Sequence, residues 1–288
     1  MRISAAVVVY NPDISELIYN IKSYINVVDK VIVWQNTLVD QIQLRNSFVD
    51  VFDKIVFLGN GRNVGIGAGL NGAVKWSINN SYTHILTLDQ DSCFESKYLT
   101  FYLDTINKNT DQSIGIFGVN PLCHAELVFS QSTHLLDVTD TITSGSVFPL
   151  EVFEKCGYFN EDMFIDAVDY EFCYRAKKYN GLKTVIITNA VMTHEVGYSK
   201  KTVWGFSTVN YSSFRTYYIV RNQTLIWRQY PEYFSYQYKK TLIMQHIIFR
   251  AIKIIMAESD KFEKIKSIFK GIKDGLFGKL LFSVKIHN

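Results

Sequence analysis

The run His84-Ile85-Leu86-Thr87-Leu88-Asp89-Gln90-Asp91-Ser92 ends an apolar strand on two aspartates separated by a single residue. Ile85–Leu88 has the length and composition of a buried strand, and ligands of open α/β sheets bind beyond the carboxyl ends of their strands. One carboxylate at such a tip serves as a ribose contact or a solvated turn residue. Two carboxylates can share a divalent cation and the diphosphate it neutralises, because Mg²⁺ and Mn²⁺ take hard oxygen ligands. A polar turn of Asp and Ser accounts for the tripeptide equally well when it stands alone. The surrounding chain has to decide.

The chain has 288 residues, 48% apolar and 20% charged, which suits a globular protein with a sizeable core and argues against disorder. No stretch approaches the roughly 18 uninterrupted apolar residues of a spanning helix. Ile3 to Tyr10 runs straight into Asn11-Pro12-Asp13, which reads as a first strand and its turn, not a signal peptide. The scattered Cys93, Cys123, Cys156 and Cys173 fit a reduced cytoplasmic protein and neither a disulfide framework nor a zinc ribbon. The net charge of +3 conceals a split: from Lys239 onward there are 11 basic and 4 acidic residues, against 19 and 23 before it. Such a split suggests a basic tail that meets an anionic surface.

Strand-like Ile3–Val9 and Val31–Trp34 flank a helical pattern over Asp13–Tyr24, with Ile14, Leu17, Ile18 and Ile21 on one face. Lys54–Leu58, a helix over Leu70–Ile78, and Ile85–Leu88 continue the alternation, which predicts βαβ units with helices on both faces. Ile114–Val119, Ile142–Phe148 and Thr184–Thr188 add strands less regularly and imply a mixed sheet. A helix over Val168–Tyr179 falls between the last two, with Val168, Phe172, Ala176 and Tyr179 as its buried stripe. From about Phe206 the chain becomes aromatic, then helical. Phe262, Ile265, Ile268, Phe269, Ile272, Leu276 and Leu280 recur at three- and four-residue steps with lysines between them. That is a basic amphipathic helix, suited either to a membrane surface or to packing on the domain, and weakened by Gly271, Gly275 and Gly278. The division expected is 1–205 for the sheet domain and 206–288 for a mostly helical, basic region.

Gly67-Ala68-Gly69-Leu70-Asn71-Gly72 matches the dinucleotide pattern G-x-G-x-x-G, with Asp89 about twenty residues on. An NAD-binding oxidoreductase therefore has to be weighed. The glycines do not open directly from a strand, a complete strand–helix–strand unit already precedes them, and the acid downstream is a pair. Alternatively, Asn63, Gly65 and Asn71 offer amides and approachable backbone to an anionic or polyhydroxy ligand near a helix start. A flexible glycine loop with a capping Asn fits as well. In the second half, Asp166, Asp169 and Glu171 cluster around a helix start, where acids are favoured for capping alone. An acid on that first turn, beside a metal–diphosphate site, is also placed to deprotonate a sugar hydroxyl. His194 falls where a turn is expected. A lone histidine is more often structural, but two nearby aspartates would complete a metal site with it.

Taken in order, eight segments resemble a family-2 glycosyltransferase of the GT-A fold, closest to the bacterial rhamnosyltransferases that extend polysaccharides. They are Val7-Val8-Val9-Tyr10-Asn11-Pro12, Val31-Ile32-Val33-Trp34-Gln35-Asn36, Asn63-Val64-Gly65 through Asn71, and Leu88-Asp89-Gln90-Asp91-Ser92. Thr143-Ser144-Gly145-Ser146, Phe164-Ile165-Asp166-Ala167-Val168-Asp169-Tyr170-Glu171, His194-Glu195-Val196-Gly197 and Tyr218-Ile219-Val220-Arg221-Asn222 follow. Singly each is weak; together, in this order, they are specific.

The resemblance implies an α/β fold with a Rossmann-like mixed central sheet flanked by helices, and a helical C-terminal appendage. It implies an inverting transferase that uses Mg²⁺ or Mn²⁺ to move a sugar, expected to be L-rhamnose from dTDP-L-rhamnose, onto a lipid-linked polysaccharide, O-antigen or capsule acceptor. Asp89 and Asp91 match the motif that holds the metal and the donor diphosphate, His194 the metal-binding histidine, and Asp169 the general base. Tyr10, Asn11, Gln35, Asn36, Asn63, Gly65, Asn71 and Gln90 fall on the donor side. Ser144, Gly145, Asp166, Glu171, Arg221 and Asn222 fall on the acceptor or diphosphate side. Relatives usually carry aspartate where Gln35 stands; a glutamine amide still pairs with a pyrimidine edge. Rival readings are a transferase using UDP-galactofuranose or UDP-glucose, the NAD enzyme, and a non-catalytic glycan-binding subunit. Expected besides are peripheral contact with the inner face of the bacterial membrane and no nucleic-acid partner. A homo-oligomer is compatible with this reading.

Overall fold

A computed structural model describes residues 1–123, 126–131, 134–194, 200–201 and 207–279. The chain divides into two compact units. Residues 1–161 with 172–196 form the first, and residues 162–171 with 197–288 the second.

In the first unit the chain runs β1 (Ile3–Val9), α1 (Ile14–Tyr24), β2 (Lys30–Gln35), α2 (Gln41–Ser47), β3 (Ile55–Leu58), α3 (Ile66–Asn79) and β4 (His84–Leu88). It continues through β5 (Ser92–Phe94), α4 (Ser96–Lys108), β6 (Ile114–Cys123), β7 (Glu126–Leu127), β8 (Leu135–Val138), β9 (Ser146–Pro149), α5 (Glu151–Cys156), α6 (Val168–Asn180) and β10 (Lys183–His194). The boundary between the units falls inside α6, after Glu171.

Among the described residues, ten strands form one sheet in the order β3-β2-β1-β4-β9-β6-β10-β5, with β7 on β6 and β8 on β10. The first four are parallel, so their carboxyl ends share one edge. β9 runs antiparallel to β4 and β6, and β5 antiparallel to β10, which makes the sheet mixed as the sequence suggests. Strands β1, β2 and β4 show no clean alternation because both of their faces are covered. Ala5, Val7, Val31, Val33 and Leu86 are buried with Leu17, Ile21 and Tyr24 of α1. Ala6, Ile32 and Ile85 are buried as well, and α3 packs on β1 and β2. Continuous apolar runs are what such two-sided burial selects. Asp13 caps α1, its carboxylate accepting the Glu16 N–H at 3.0 Å.

The structure departs from the sequence reading at α3. The helix begins at Ile66, so Gly67, Gly69 and Gly72 lie inside it and form no loop before it. A Cβ on Gly72 would stand 2.0 Å from Cζ3 of Trp34, and one on Gly69 would stand 2.9 Å from Cδ1 of the same indole. Gly69 and Gly72 clear a face for Trp34, and the three glycines do not build a phosphate-cradling turn. β9 likewise starts at Ser146, because Ile142–Gly145 turns past β4, where the Gly145 N–H donates to the Thr87 carbonyl at 2.8 Å. The stripe expected on α6 holds at Val168, Phe172 and Ala176, whereas Tyr179 is exposed.

The second unit contains β11 (Lys200–Lys201) paired with β12 (Ser207–Thr208), then α7 (Ser213–Gln229), α8 (Tyr236–Ile243), a π-helical turn over Met244–Phe249, α9 (Arg250–Ala257) and α10 (Lys261–Phe277). Val220 of α7, Ile254 of α9 and Ile268 of α10 make its small core, flanked by Ile247, Ala251, Ile265 and Ile272. Gly271 and Gly275 let α10 approach α7. A Cβ at Gly271 would lie 2.9 Å from the Tyr217 carbonyl, and one at Gly275 2.5 Å from Cβ of Thr224. Glycine lowers helix propensity, but here it is the condition for the contact. The carboxylate of Glu258, fully buried, is met by Arg250 at 2.8 Å and Lys264 at 3.0 Å, so the buried charge is compensated. No helix among the described residues is long and apolar enough to cross a membrane. Leu280 lies outside the described residues.

Candidate active site

The Asp89-Gln90-Asp91 turn joins β4 to β5 at the carboxyl edge of the parallel strands. It is braced from behind. The Asp89 N–H donates to Ser144 Oγ at 3.1 Å, and Ser144 Oγ lies 2.6 Å from Ser92 Oγ, both hydroxyls buried. The Ser92 N–H closes the turn on the Asp89 carbonyl at 3.2 Å. Gln90 pins the turn forward: its Oε1 accepts the Tyr10 N–H at 2.9 Å, and its carbonyl accepts from Asn20 Nδ2 at 2.9 Å. Asp89 is thereby half-buried and Asp91 exposed. Backbone held this way presents carboxylates without relying on their own side-chain packing.

His194 ends β10, its backbone in register with Ser92 immediately after Asp91. The strand carries it there, where a turn was expected from sequence; its side chain lies outside the described part of the structure. Among the described residues no three His, Cys, Asp or Glu side chains converge as a metal-binding group.

On the donor side the sequence-nominated residues separate into two kinds. Tyr10 (51% exposed), Asn11 and Asn63 stand at the surface. Gln35, Asn36 and Asn71 are buried and occupied with the chain itself. Gln35 Oε1 accepts the Val39 N–H at 3.2 Å. Asn36 donates to the Gly65 carbonyl at 3.1 Å and accepts the Val64 N–H at 3.2 Å, fastening the loop that Asn63 closes by accepting the Gly65 N–H at 3.1 Å. Asn71 brackets Phe159, donating to its carbonyl and accepting its N–H at 2.9 Å each, and reaches Glu161 at 2.8 Å. Asn11 Oδ1 accepts from Thr37 Oγ1 at 3.1 Å, linking the turns after β1 and β2.

In the second unit, Asp162–Glu171 leads into α6 through three non-glycine residues in the left-handed region: Phe164 (φ 58°), Asp166 (φ 63°) and Ala167 (φ 64°). Each such residue costs about 1–3 kcal/mol and persists only when its surroundings hold it. The holders are on α7. Asn222, buried, donates through Nδ2 to the carbonyls of Met163, Ile165 and Asp166 at 2.9, 2.9 and 2.8 Å. Arg215 grips the Asp166 carboxylate through Nε at 3.2 Å and Nη2 at 3.0 Å, and Arg221 donates to the Asp162 carbonyl. Glu171, buried, accepts the Tyr230 hydroxyl at 2.7 Å. Asp169 sits half-buried on the first turn of α6 and accepts the Tyr170 N–H at 2.9 Å. Arg215 and Tyr230 are supports of this segment that sequence reasoning missed. Nothing local marks them, since their partners lie 49 and 59 residues away.

A separate cavity of about 660 Å³, lined by Thr83, His84, Asp111 and Glu151 among others, lies at the amino ends of β4 and β6, away from the aspartate turn. Burial pushes the His84 imidazole down to about 4. A cavity at that end faces away from the edge where α/β sheets bind ligands.

No family model matches the chain. The dTDP-rhamnosyl transferase RfbF of Shigella flexneri is 28% identical over 302 residues, covering 96% of this chain and 96% of that protein. The structure of S. aureus TarS 1–349 in complex with UDP superposes with a TM-score of 0.55 at 14% identity, covering 95% of this chain and 71% of that one. The complex of TarS 1–349 with UDP-GlcNAc gives a TM-score of 0.57 at 12% identity, covering 95% and 81%. At those identities the two structures speak for the fold alone. Likeness to a sugar transferase along nearly its whole length, on a sheet that carries paired aspartates at its carboxyl edge, makes this chain similar to the rhamnosyltransferases, and its fold is that of the GT-A glycosyltransferases.

Proposed function

We propose that the protein transfers L-rhamnose from dTDP-L-rhamnose, with inversion, onto a lipid-linked glycan. The observation that carries this reading is the aspartate turn itself. Its backbone is locked by Ser144 and Gln90 while its second carboxylate stays exposed. The donor is taken from the likeness to RfbF. Asp89 and Asp91 fit Mg²⁺ or Mn²⁺, because such ions are usually held by one or two carboxylates plus substrate phosphates and do not need an all-protein cage. His194 would join them. A bound cation would offset the negative charge that gathers on the departing nucleoside diphosphate.

The chain's own part is positioning and proton transfer. Tyr10, Asn11 and Asn63 are the surface residues for the nucleoside, with Gln35 and Asn36 holding the loops that carry them. Asp169 takes the proton of the acceptor hydroxyl as its oxygen bonds to the anomeric carbon. The bond from that carbon to the phosphate oxygen breaks, and its electron pair leaves with the diphosphate. Attack from the opposite face inverts the centre.

The test is a donor panel read by thermal shift and by nucleotide release, with Mg²⁺ and with Mn²⁺. Stabilisation by dTDP-rhamnose supports the reading; stabilisation by a UDP-sugar alone sinks the rhamnose assignment, and stabilisation by NADH alone sinks the whole of it. Asp169→Asn should lower transfer by about 10²–10⁴-fold, with the donor-induced shift in Tm unchanged. An Asp169→Asn enzyme at full rate would remove the residue from the base role.

A further inference from the structure

On α10 the apolar residues occupy two distinct faces. Ile265, Ile268 and Ile272 point into the small core of the second unit. Phe262, Phe269 and Phe277 are 77%, 69% and 81% exposed. Phe262, Phe269 and Leu276 recur at seven-residue steps, two helical turns each, and so share one face. Lys266 and Lys273 fall between them on that face, with Lys270 and Phe277 at its border. A helix packed on a domain normally turns polar residues outward. The π-helical turn and α9 repeat the anomaly: Ile248, Phe249, Ile252, Ile255 and Met256 are all exposed while Ile247, Ala251 and Ile254 pack inward. Scattered exposed apolar side chains need no explanation, but rows of them on adjacent helices mark an interaction surface.

We propose that this outer face docks on an anionic phospholipid bilayer, the rings entering the headgroup–acyl boundary and the lysines meeting lipid phosphates. Charge selects this partner over a second copy of the chain. From Tyr236 to Lys279, eight lysines lie outside the buried Glu258 cluster, against only Asp260, Glu263 and Asp274. Self-association through the Phe262–Phe277 face would set lysine rows against each other without acids to match, whereas an anionic membrane neutralises them. With no spanning helix among the described residues, contact is along the surface. This inference does not depend on the sugar transferred, or on transfer at all.

The test is sedimentation of the purified full chain with phosphatidylcholine vesicles made with and without phosphatidylglycerol. Binding should be at least about tenfold tighter to the anionic vesicles and weaken as salt is raised. Changing Lys266, Lys270 and Lys273 together to Glu should erase that preference. Changing Phe262, Phe269 and Phe277 together to Ser should weaken binding about tenfold or more with the melting curve unchanged, since rings so exposed leave no cavity. If the triple Ser variant melts early, the single variant Phe269→Asp carries the comparison. The proposal is overturned by absence of binding to anionic vesicles, or by variants that bind as the parent does. It is overturned equally by light scattering that shows a dimer which Phe269→Asp splits, because the face would then be a self-interface.

Discussion

Asn222 illustrates how one amide can hold a strained segment in place. Its single NH₂ group serves three carbonyls of a turn whose Phe164, Asp166 and Ala167 all hold left-handed backbone. Replacing it with Ala leaves those carbonyls short of donors in a buried place, a loss of about 1–3 kcal/mol. The expected result is a lower Tm together with slower transfer, since the turn leads directly into Asp169. An Asn222→Ala enzyme with unchanged stability would mean that the turn holds itself. The candidates for this site could be nominated from sequence because acids, asparagines and arginine stand in a recognisable order. What each one does was less legible. Asn36, Asn71 and Gln35 read as ligand contacts, yet in the fold their amides close loops and bracket backbone. An Asn looks the same in sequence whether its partner is a sugar or a carbonyl 88 residues away.

Among the elements, α3 was the least readable and is the most instructive. Its start, Gly65-Ile66-Gly67-Ala68-Gly69, looks like a loop by propensity, and only the position of Trp34 on the neighbouring strand explains why glycines are wanted in a helix. Gly72→Ala would drive a methyl group into the indole. The expected loss is about 1–3 kcal/mol from overpacking. A smaller residue at position 34 should recover part of it, so Gly72→Ala and Trp34→Leu should be non-additive in a denaturation cycle. Strict additivity would show that the helix simply shifts. The strands were legible for the opposite reason: burial on both faces demands an apolar residue at nearly every position of β1, β2 and β4, and that demand is visible without knowing the partners. The C-terminal helix fell in between. Its periodicity gave the helix, but the series Phe262 to Leu276 merged two faces into one. Only the contact with α7 separates the inward isoleucines from the outward phenylalanines.

At the scale of the whole molecule, stability should depend on pH through His84. Its imidazole is held down to about 4, chiefly by burial, then by the charge of the N-terminus, while Glu151 pulls the other way. An unfolded histidine titrates near 6.5. Between those values the unfolded chain binds the proton and the folded one does not, so stability is complete above about 6.5 and declines as pH falls toward 4. With its partial exposure discounted, the decline is about 1–2 kcal/mol. Comparing melts of the parent and His84→Gln through this range isolates it. Parallel curves would assign the acid sensitivity to other groups. Alternation alone predicts the βαβ units of the first half, and the irregular later strands predict a mixed sheet. The order of the strands did not follow, because β9 and β10 take their places through partners distant in the chain.

The order β3-β2-β1-β4-β9-β6-β10-β5 carries a consequence for biogenesis. A ribosome delivers the parallel β1–β4 half within the first ninety residues, and that half can begin to assemble from its own neighbours. The aspartate turn cannot be finished at that moment. Its brace, Ser144, emerges about fifty residues later, and the strand that pairs with β5 arrives only when Met192, Thr193 and His194 have been made. Because domains settle as their segments emerge during synthesis, the nascent chain carries an unbraced aspartate turn while about a hundred further residues are made. The turn therefore takes its final setting only once β10 has joined the sheet, about two-thirds of the way through synthesis.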